Sequence, residues 1–139
     1  IIFLYGDGID EEKTEKAVKE KIKDGHKYVI PGFYGNKEGQ IGLLKRGGSD
    51  YTGSILASSL KYKHYENWTD VDGIMDKDPA EYEDAKVYKS LTYEELKKII
   101  NNGAKVYQED ALNPLIGKDI ELRILNTNKP DDDGTIIID

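Results

Sequence analysis

Hydrophobic positions along this chain recur at two different spacings, and the switches between them mark its elements. Residues 1–5 form an apolar run ended by Gly6-Asp7-Gly8, the pattern of a buried strand or its end. Asp10 is placed to cap a helix. Beyond it, Thr14, Val18 and Ile22 recur every fourth residue, with Ala17 beside them and Lys or Glu nearly everywhere else. That spacing predicts an amphipathic surface helix closing at Gly25, its charged positions forming a solvated face. Residues 27–30 are a short β-rich run stopped by Pro31-Gly32. Residues 31–35 read as a loop with two aromatics able to stand exposed, 36–39 as a turn, and 40–44 as a returning strand.

A second helix is predicted over about residues 50–61, capped by Ser49 and carrying Ile55, Leu56 and Leu60 on one side. Its small residues, Gly53, Ser54, Ala57 and Ser58, permit close packing on a sheet. Residues 66–70 read as a strand, 70–73 as its C-terminal loop and 76–79 as a turn, and 82–89 are polar and irregular. Thr92-Tyr93-Glu94-Glu95 has the form of a capping box. Leu96, Ile99 and Ile100 give that helix its buried side, and Gly103 ends it. Residues 104–106 lead to a short helix over about 109–116. Ile120, Leu122 and Ile124 alternate with Glu121 and Arg123 as in a half-buried strand. A long turn over 126–134 and a last strand over 135–138 complete the chain. Trp68 reads as a packing residue. There is no internal repeat, and strands alternate with helices, which places the chain in the α/β class.

Composition narrows the function. The 139 residues are 37% hydrophobic and 34% charged, enough for one globular domain with a real core. A formal net charge of -7 argues against nucleic acid and anionic membranes as partners, while leaving room for a local basic pocket. Cysteine is absent, which excludes disulfides, a thiolate nucleophile and a cysteine zinc site and fits a cytoplasmic protein. No apolar run approaches a membrane span. The chain opens on Ile1 rather than Met, so it is expected to be a piece of a longer polypeptide.

The chemistry concentrates in Lys45-Arg46-Gly47-Gly48-Ser49-Asp50. Two glycines let backbone approach a ligand, and a helix starting at Ser49 would present N–H groups to an anion. Arg46 could grip a carboxylate or phosphate with two parallel hydrogen bonds, and Asp50 adds a fixed carboxylate. By chemistry alone, a plain glycine turn before a Ser-capped helix, with Arg46 solvated, fits as well. His26 and His64 have no partner at metal-ligand spacing. Asp131-Asp132-Asp133-Gly134 lacks the closing Glu of a calcium loop and reads as a turn, and no protein metal site is expected.

Six blocks resemble the aspartate kinases in order and approximate spacing. They are Arg46-Gly47-Gly48-Ser49-Asp50, Trp68-Thr69-Asp70-Val71-Asp72-Gly73-Ile74, Asp78-Pro79, Thr92-Tyr93-Glu94-Glu95, Gly103-Ala104-Lys105-Val106 and Arg123-Ile124-Leu125-Asn126-Thr127-Asn128. Pro31-Gly32-Phe33-Tyr34-Gly35 and Tyr65-Glu66-Asn67-Trp68 look most like the monofunctional clostridial enzymes. The resemblance implies part of the three-layer α/β/α sandwich of the amino-acid kinase (carbamate kinase-like) fold. It implies transfer of the γ-phosphoryl of MgATP to the β-carboxylate of L-aspartate, in lysine, threonine and methionine synthesis. By the same likeness, Arg46, Gly47, Gly48 and Ser49 would bind aspartate, and Asp50 would orient catalytic lysines. Thr69 and Asp70 would hold the base and ribose end of ATP. Lys105 would reach the phosphates, with Met75 and Val106 beside the nucleotide. Magnesium would arrive with ATP, and the full-length enzyme would be a homo-oligomer.

Departures from the family pattern accompany the match. Ala80 stands where relatives often carry Arg, Met75 where Tyr is common, and Tyr107-Gln108 where Leu-His usually follows. The family's Lys-Phe-Gly-Gly-Thr start and its ACT regulatory domains have no counterpart in these residues. Residues 1–139 are therefore expected to be the C-terminal, nucleotide-binding part of the catalytic domain, inactive alone. Another amino-acid kinase, such as an acetylglutamate or glutamate kinase, and a non-catalytic binding module of the same fold are the alternatives.

Overall fold

The computed structural model describes residues 1–45, 47–104 and 107–139. Arg46, Lys105 and Val106 lie outside the described residues. The chain runs β1 (Leu4–Tyr5), β2 (Gly8–Ile9), α1 (Glu11–Lys21), β3 (Tyr34–Lys37), β4 (Gln40–Leu43), α2 (Gly48–Ser59) and β5 (His64–Thr69). It continues through β6 (Ser90–Thr92), α3 (Tyr93–Asn101), a 3-10 turn at Glu109–Ala111, β7 (Glu121–Asn126) and β8 (Thr135–Ile138).

The main sheet has four strands in the order β5-β7-β8-β6. β5 runs parallel to β7 and β6 parallel to β8, while β7 and β8 are antiparallel. The register aligns Tyr65 with Leu122, Leu122 with Ile137 and Ile137 with Leu91, so one row of side chains crosses the sheet. This row faces the helices. Leu122, Ile124 and Ile137 join Ala57 of α2, Leu96 of α3, and Ala111, Leu112 and Leu115 in one buried core. On the opposite face His64, Glu66, Trp68 and Ile138 are exposed. The chain is thus an α/β structure in which helices cover one face of a four-stranded sheet.

A second, smaller core holds the N-terminal elements. β1 and β2 form a hairpin, β3 and β4 another, and Phe3 bridges to Asn36 between them. Ile2, Leu4, Ile9, Leu44 and Ile55 pack together there, attaching both hairpins to α2. α1 begins at Asp10, whose carboxylate accepts from the Lys13 amide, and the buried Thr14 hydroxyl accepts from the Phe3 amide at 2.9 Å. The Tyr51 hydroxyl donates to Glu11 at 3.1 Å and ties α1 to α2.

Several expectations give way here. Residues 27–30 are not a strand, and Val29 is wholly exposed, because no neighbouring edge pairs with them. The strand lies instead over Tyr34–Lys37, where loop and turn were expected; its Asn36 accepts from the Gly39 amide and closes the turn to β4. α1 stops at Lys21, before Gly25. β4 belongs to this separate hairpin, so the glycine stretch after it does not follow a strand of the main sheet. β5 starts two residues early, at His64. β6 is too short to show a period and arises from pairing with β8. The helix expected over 109–116 is a single 3-10 turn followed by further turns. Trp68 is exposed rather than packed, its indole N–H donating to Glu66 at 3.0 Å. The capping box of α3 forms as expected, with the Thr92 hydroxyl accepting from the Glu95 amide and the Glu95 carboxylate accepting from the Thr92 amide.

Leu122 is fully buried at the centre of the core. Leu122→Ala should therefore lower stability by about 3 kcal/mol through lost burial and a residual cavity. Chemical denaturation, with the midpoint falling at unchanged slope, checks this.

Candidate functional site

The start of α2 is made by Gly47, not Ser49. Gly47 sits in the left-handed region at φ 82 and forms the N-cap, and Ser49 is exposed in the first turn. Glycine is required twice over at this position. Its φ suits few other residues, and a Cβ there would meet the Gln108 side chain at 2.7 Å. A cap without a side chain leaves first-turn N–H groups for a ligand. The same contact brings the glycine stretch against the segment that follows Lys105 and Val106.

Behind this helix start lies a polar seam. Strand alternation turns Tyr65, Asn67 and Thr69 of β5 toward α2. Asn67 Nδ2 donates to Asp50 Oδ1 at 3.0 Å. The Tyr65 hydroxyl lies among Asn67, Ser54 and Tyr107, and Ser54 and Tyr107 share a buried hydrogen bond of 3.0 Å. Gly53 permits the approach, since a Cβ there would stand 2.1 Å from the Tyr65 hydroxyl oxygen. Burial pushes the Asp50 carboxyl above the usual carboxylate range, and the Asn67 hydrogen bond pulls it part of the way back. Burial likewise raises Tyr107 well above an ordinary tyrosine.

The C-terminal end of β5 is clamped to that of β7. The Thr127 amide and hydroxyl both donate to the Thr69 carbonyl, at 2.8 and 3.0 Å. Asn126 donates to one oxygen of Asp72 at 2.6 Å and Lys129 to the other at 2.7 Å. The Lys129 and Asn126 bonds hold the Asp72 carboxyl below its ordinary range. Asp70 stays exposed, its Oδ1 accepting from the Thr69 hydroxyl at 3.3 Å. Thr135, fully buried, accepts from the Ile74 amide at 2.9 Å and donates to the Tyr88 carbonyl at 2.7 Å. Met75 is half-buried and bridges to Val87. Ala80 lies in an exposed turn whose amide donates to Asp78 at 2.8 Å.

The geometry therefore brings Asp50, in the first turn after the glycines, to Asn67 of β5, with Gln108 against Gly47. Arg46, Lys105 and Val106 were expected to complete the site and lie outside the described residues. Among the described residues, no cluster of His, Asp and Glu could hold a metal ion, and none of the helices is long and apolar enough to cross a membrane.

The sequence pattern of the amino acid kinase family matches residues 2–126. The chain belongs to the amino acid kinase family. It is similar to Aspartokinase 3 of Bacillus subtilis, 40% identical over 91% of this chain and 28% of that protein. Its fold matches the crystal structure of Clostridium acetobutylicum aspartate kinase with a TM-score of 0.87 at 42% identity, over 99% of this chain and 32% of that one. E. coli aspartokinase III, in complex with aspartate and ADP, matches with a TM-score of 0.73 at 34% identity, over 78% of this chain and 24% of that one. The chain thus spans about a third or less of the length of these relatives.

Within this amino acid kinase chain, sequence reasoning missed Asn67, Tyr65, Asn126 and Lys129 as parts of the site. The alternation of Tyr65 and Asn67 with exposed positions along β5 becomes a signal only once α2 is known to lie opposite, where two polar-tipped residues call for partners on that helix.

An acid whose folded pKa is raised costs stability once ionised, and the cost disappears below the ordinary carboxylate range. Asp50→Asn should therefore raise the unfolding midpoint at pH 7, and the gain should shrink as the pH falls through Asp50's raised pKa to about 4. Thermal unfolding across this pH range checks the sign.

Proposed function

We propose that this chain is the nucleotide-binding part of the catalytic domain of an aspartate kinase. The observation that carries the proposal is the meeting of the glycine-capped start of α2 with the end of β5 through the Asp50–Asn67 bond. One element offers N–H groups to an anionic acceptor. The other presents Thr69 and Asp70 at the carboxyl end of a parallel strand, where ligands of open α/β sheets bind. The similarity to aspartate kinases over 99% of the chain supports L-aspartate as that acceptor.

In this reading Arg46, Gly47, Gly48 and Ser49 hold the α-amino acid. Thr69 and Asp70 hold the ribose and base end of ATP, and Met75 and Val106 stand near the nucleotide. Lys105 supplies a positioned positive charge toward the phosphates, which offsets charge spreading over the transferred group. Magnesium comes on the phosphate oxygens of ATP. A β-carboxylate oxygen of aspartate forms a bond to the γ-phosphorus as the bridging oxygen to ADP leaves, giving 4-phospho-L-aspartate and ADP. Asp50 orients the cationic side chains about that group. The working enzyme is a cytoplasmic homo-oligomer.

The complete gene product containing this chain should release ADP only when L-aspartate is supplied, and hydroxylamine should trap the acyl phosphate. Turnover with N-acetylglutamate, or none with aspartate, overturns the assignment. MgATP at a hundredfold excess over its Kd should add about 2.7 kcal/mol of stability. Asp70→Ala should remove most of that gain and raise the KM for ATP about tenfold, a loss of about 1.4 kcal/mol.

A further inference from the structure

The seam between α2 and β5 has a property that the assignment of Asp50 alone does not require. Asp50 belongs to the helix that begins at the glycine stretch. Thr69 and Asp70 belong to the strand end. A single side chain, Asn67, spans the two. It lies two residues before Thr69 on the same face of β5, and its Nδ2 donates to Asp50 at 3.0 Å. Asn67 is itself held. Its backbone pairs with Ile124 on the fully paired flank of β5, and the Tyr65 hydroxyl stands beside it. Tyr65 is kept in place by Ser54 and Tyr107 and by the missing Cβ of Gly53.

We propose that Asn67 is a positioning residue for phosphoryl transfer, setting the Asp50 carboxylate relative to the nucleotide end of β5. The proposal rests on the aspartate kinase reading above. Asn67 is not a catalytic residue, since it acts through Asp50. The physical need is clear from the reaction class: in-line transfer depends on the placement of donor and acceptor, and displacements of about 1 Å cost about a hundredfold. An Asp held only by a helix could rotate about its side-chain torsions. Anchored to the strand, one carboxylate oxygen is fixed and the other is aimed. Asn suits the task because its amide always donates, whereas an Asp or Glu there would repel Asp50.

The test uses the complete gene product. Asn67→Leu, close to Asn in shape, removes the donor, and Asn67→Asp keeps the shape but reverses the interaction. Both should lower kcat about tenfold or more with KM values for aspartate and ATP within about twofold, as expected when an interaction made only in the transition state is lost. In an Asp50→Asn background, Asn67→Leu should add little further loss, because residues that act as one unit are non-additive. A carboxyl NMR titration gives a readout independent of turnover: Asn67→Leu should move the Asp50 pKa upward, since the hydrogen bond it deletes lowers it. If wild type turns over no aspartate, the functional assignment fails, while the titration still reports on the pairing. Full kcat in both Asn67 variants, equal losses with and without Asp50, or an unmoved Asp50 titration would overturn the positioning role. Should Asn67→Leu not fold, Asn67→Asp carries the kinetic test, and its Asp50 titration must also shift upward by like-charge coupling.

Discussion

The close approach of α2 to β5 is the constraint on which the rest of this structure depends. It is possible only because position 53 has no side chain, leaving the Tyr65 hydroxyl where a Cβ would otherwise be. That approach buries Ser54, Tyr65 and Tyr107 as a hydroxyl cluster and places Asp50 within reach of Asn67. Polar groups withdrawn from water must pair, and an unpaired one costs about 1–3 kcal/mol. The cluster therefore favours one relative placement of helix and strand over slid alternatives that an apolar contact would tolerate. The apolar core beneath supplies the driving force, and the polar seam supplies the register.

The two ends of this seam are stiff for different reasons. At the strand end, Thr127, Asn126 and Lys129 tie the loop after β7 to the loop after β5, so the Asp70–Asp72 segment rests on a neighbouring parallel strand. At the helix end, stiffness comes from crowding, with Gly47 seated against Gln108. Tyr107 and Gln108 are two of the departures from the aspartate kinase pattern, and both have local work here. One closes the hydrogen bond to Ser54, and the other fills the space that Gly47 leaves. A substitution against the family pattern is thus matched by contacts within this chain.

What was legible in the sequence follows from how each feature is encoded. The α3 capping box, the α1 stripe and the β7 alternation are local patterns, and each yields the expected kind of element, although α1 ends before Gly25 and β7 runs from Glu121 to Asn126. The Ser49 cap is a local pattern that lost to a neighbour: Gly47 can take the left-handed turn that starts the helix two residues earlier. Residues 27–30 carry strand-forming side chains but no partner edge, whereas Tyr34–Lys37 carries two weak strand formers and pairs with β4. Pairing, not propensity, decided both. Asn67 was hidden for a related reason. A polar residue in a strand is unremarkable until its partner is known, and that partner, Asp50, stands 17 residues earlier on a helix.

The desolvation of Asp50 links this architecture to function. A carboxylate raised by burial destabilises the fold when ionised, so a stability criterion alone would favour an amide at position 50. Asn67 relieves only part of that cost, because one neutral hydrogen bond does not replace the water that burial removes. A charge kept at a net cost beside a helix start with accessible N–H groups is what a site needs when cations must be gathered around an anionic transfer. The partial compensation has its own logic. Full burial with two strong donors would neutralise the field that Asp50 exerts on its surroundings, whereas Asn67 bonds one carboxylate oxygen.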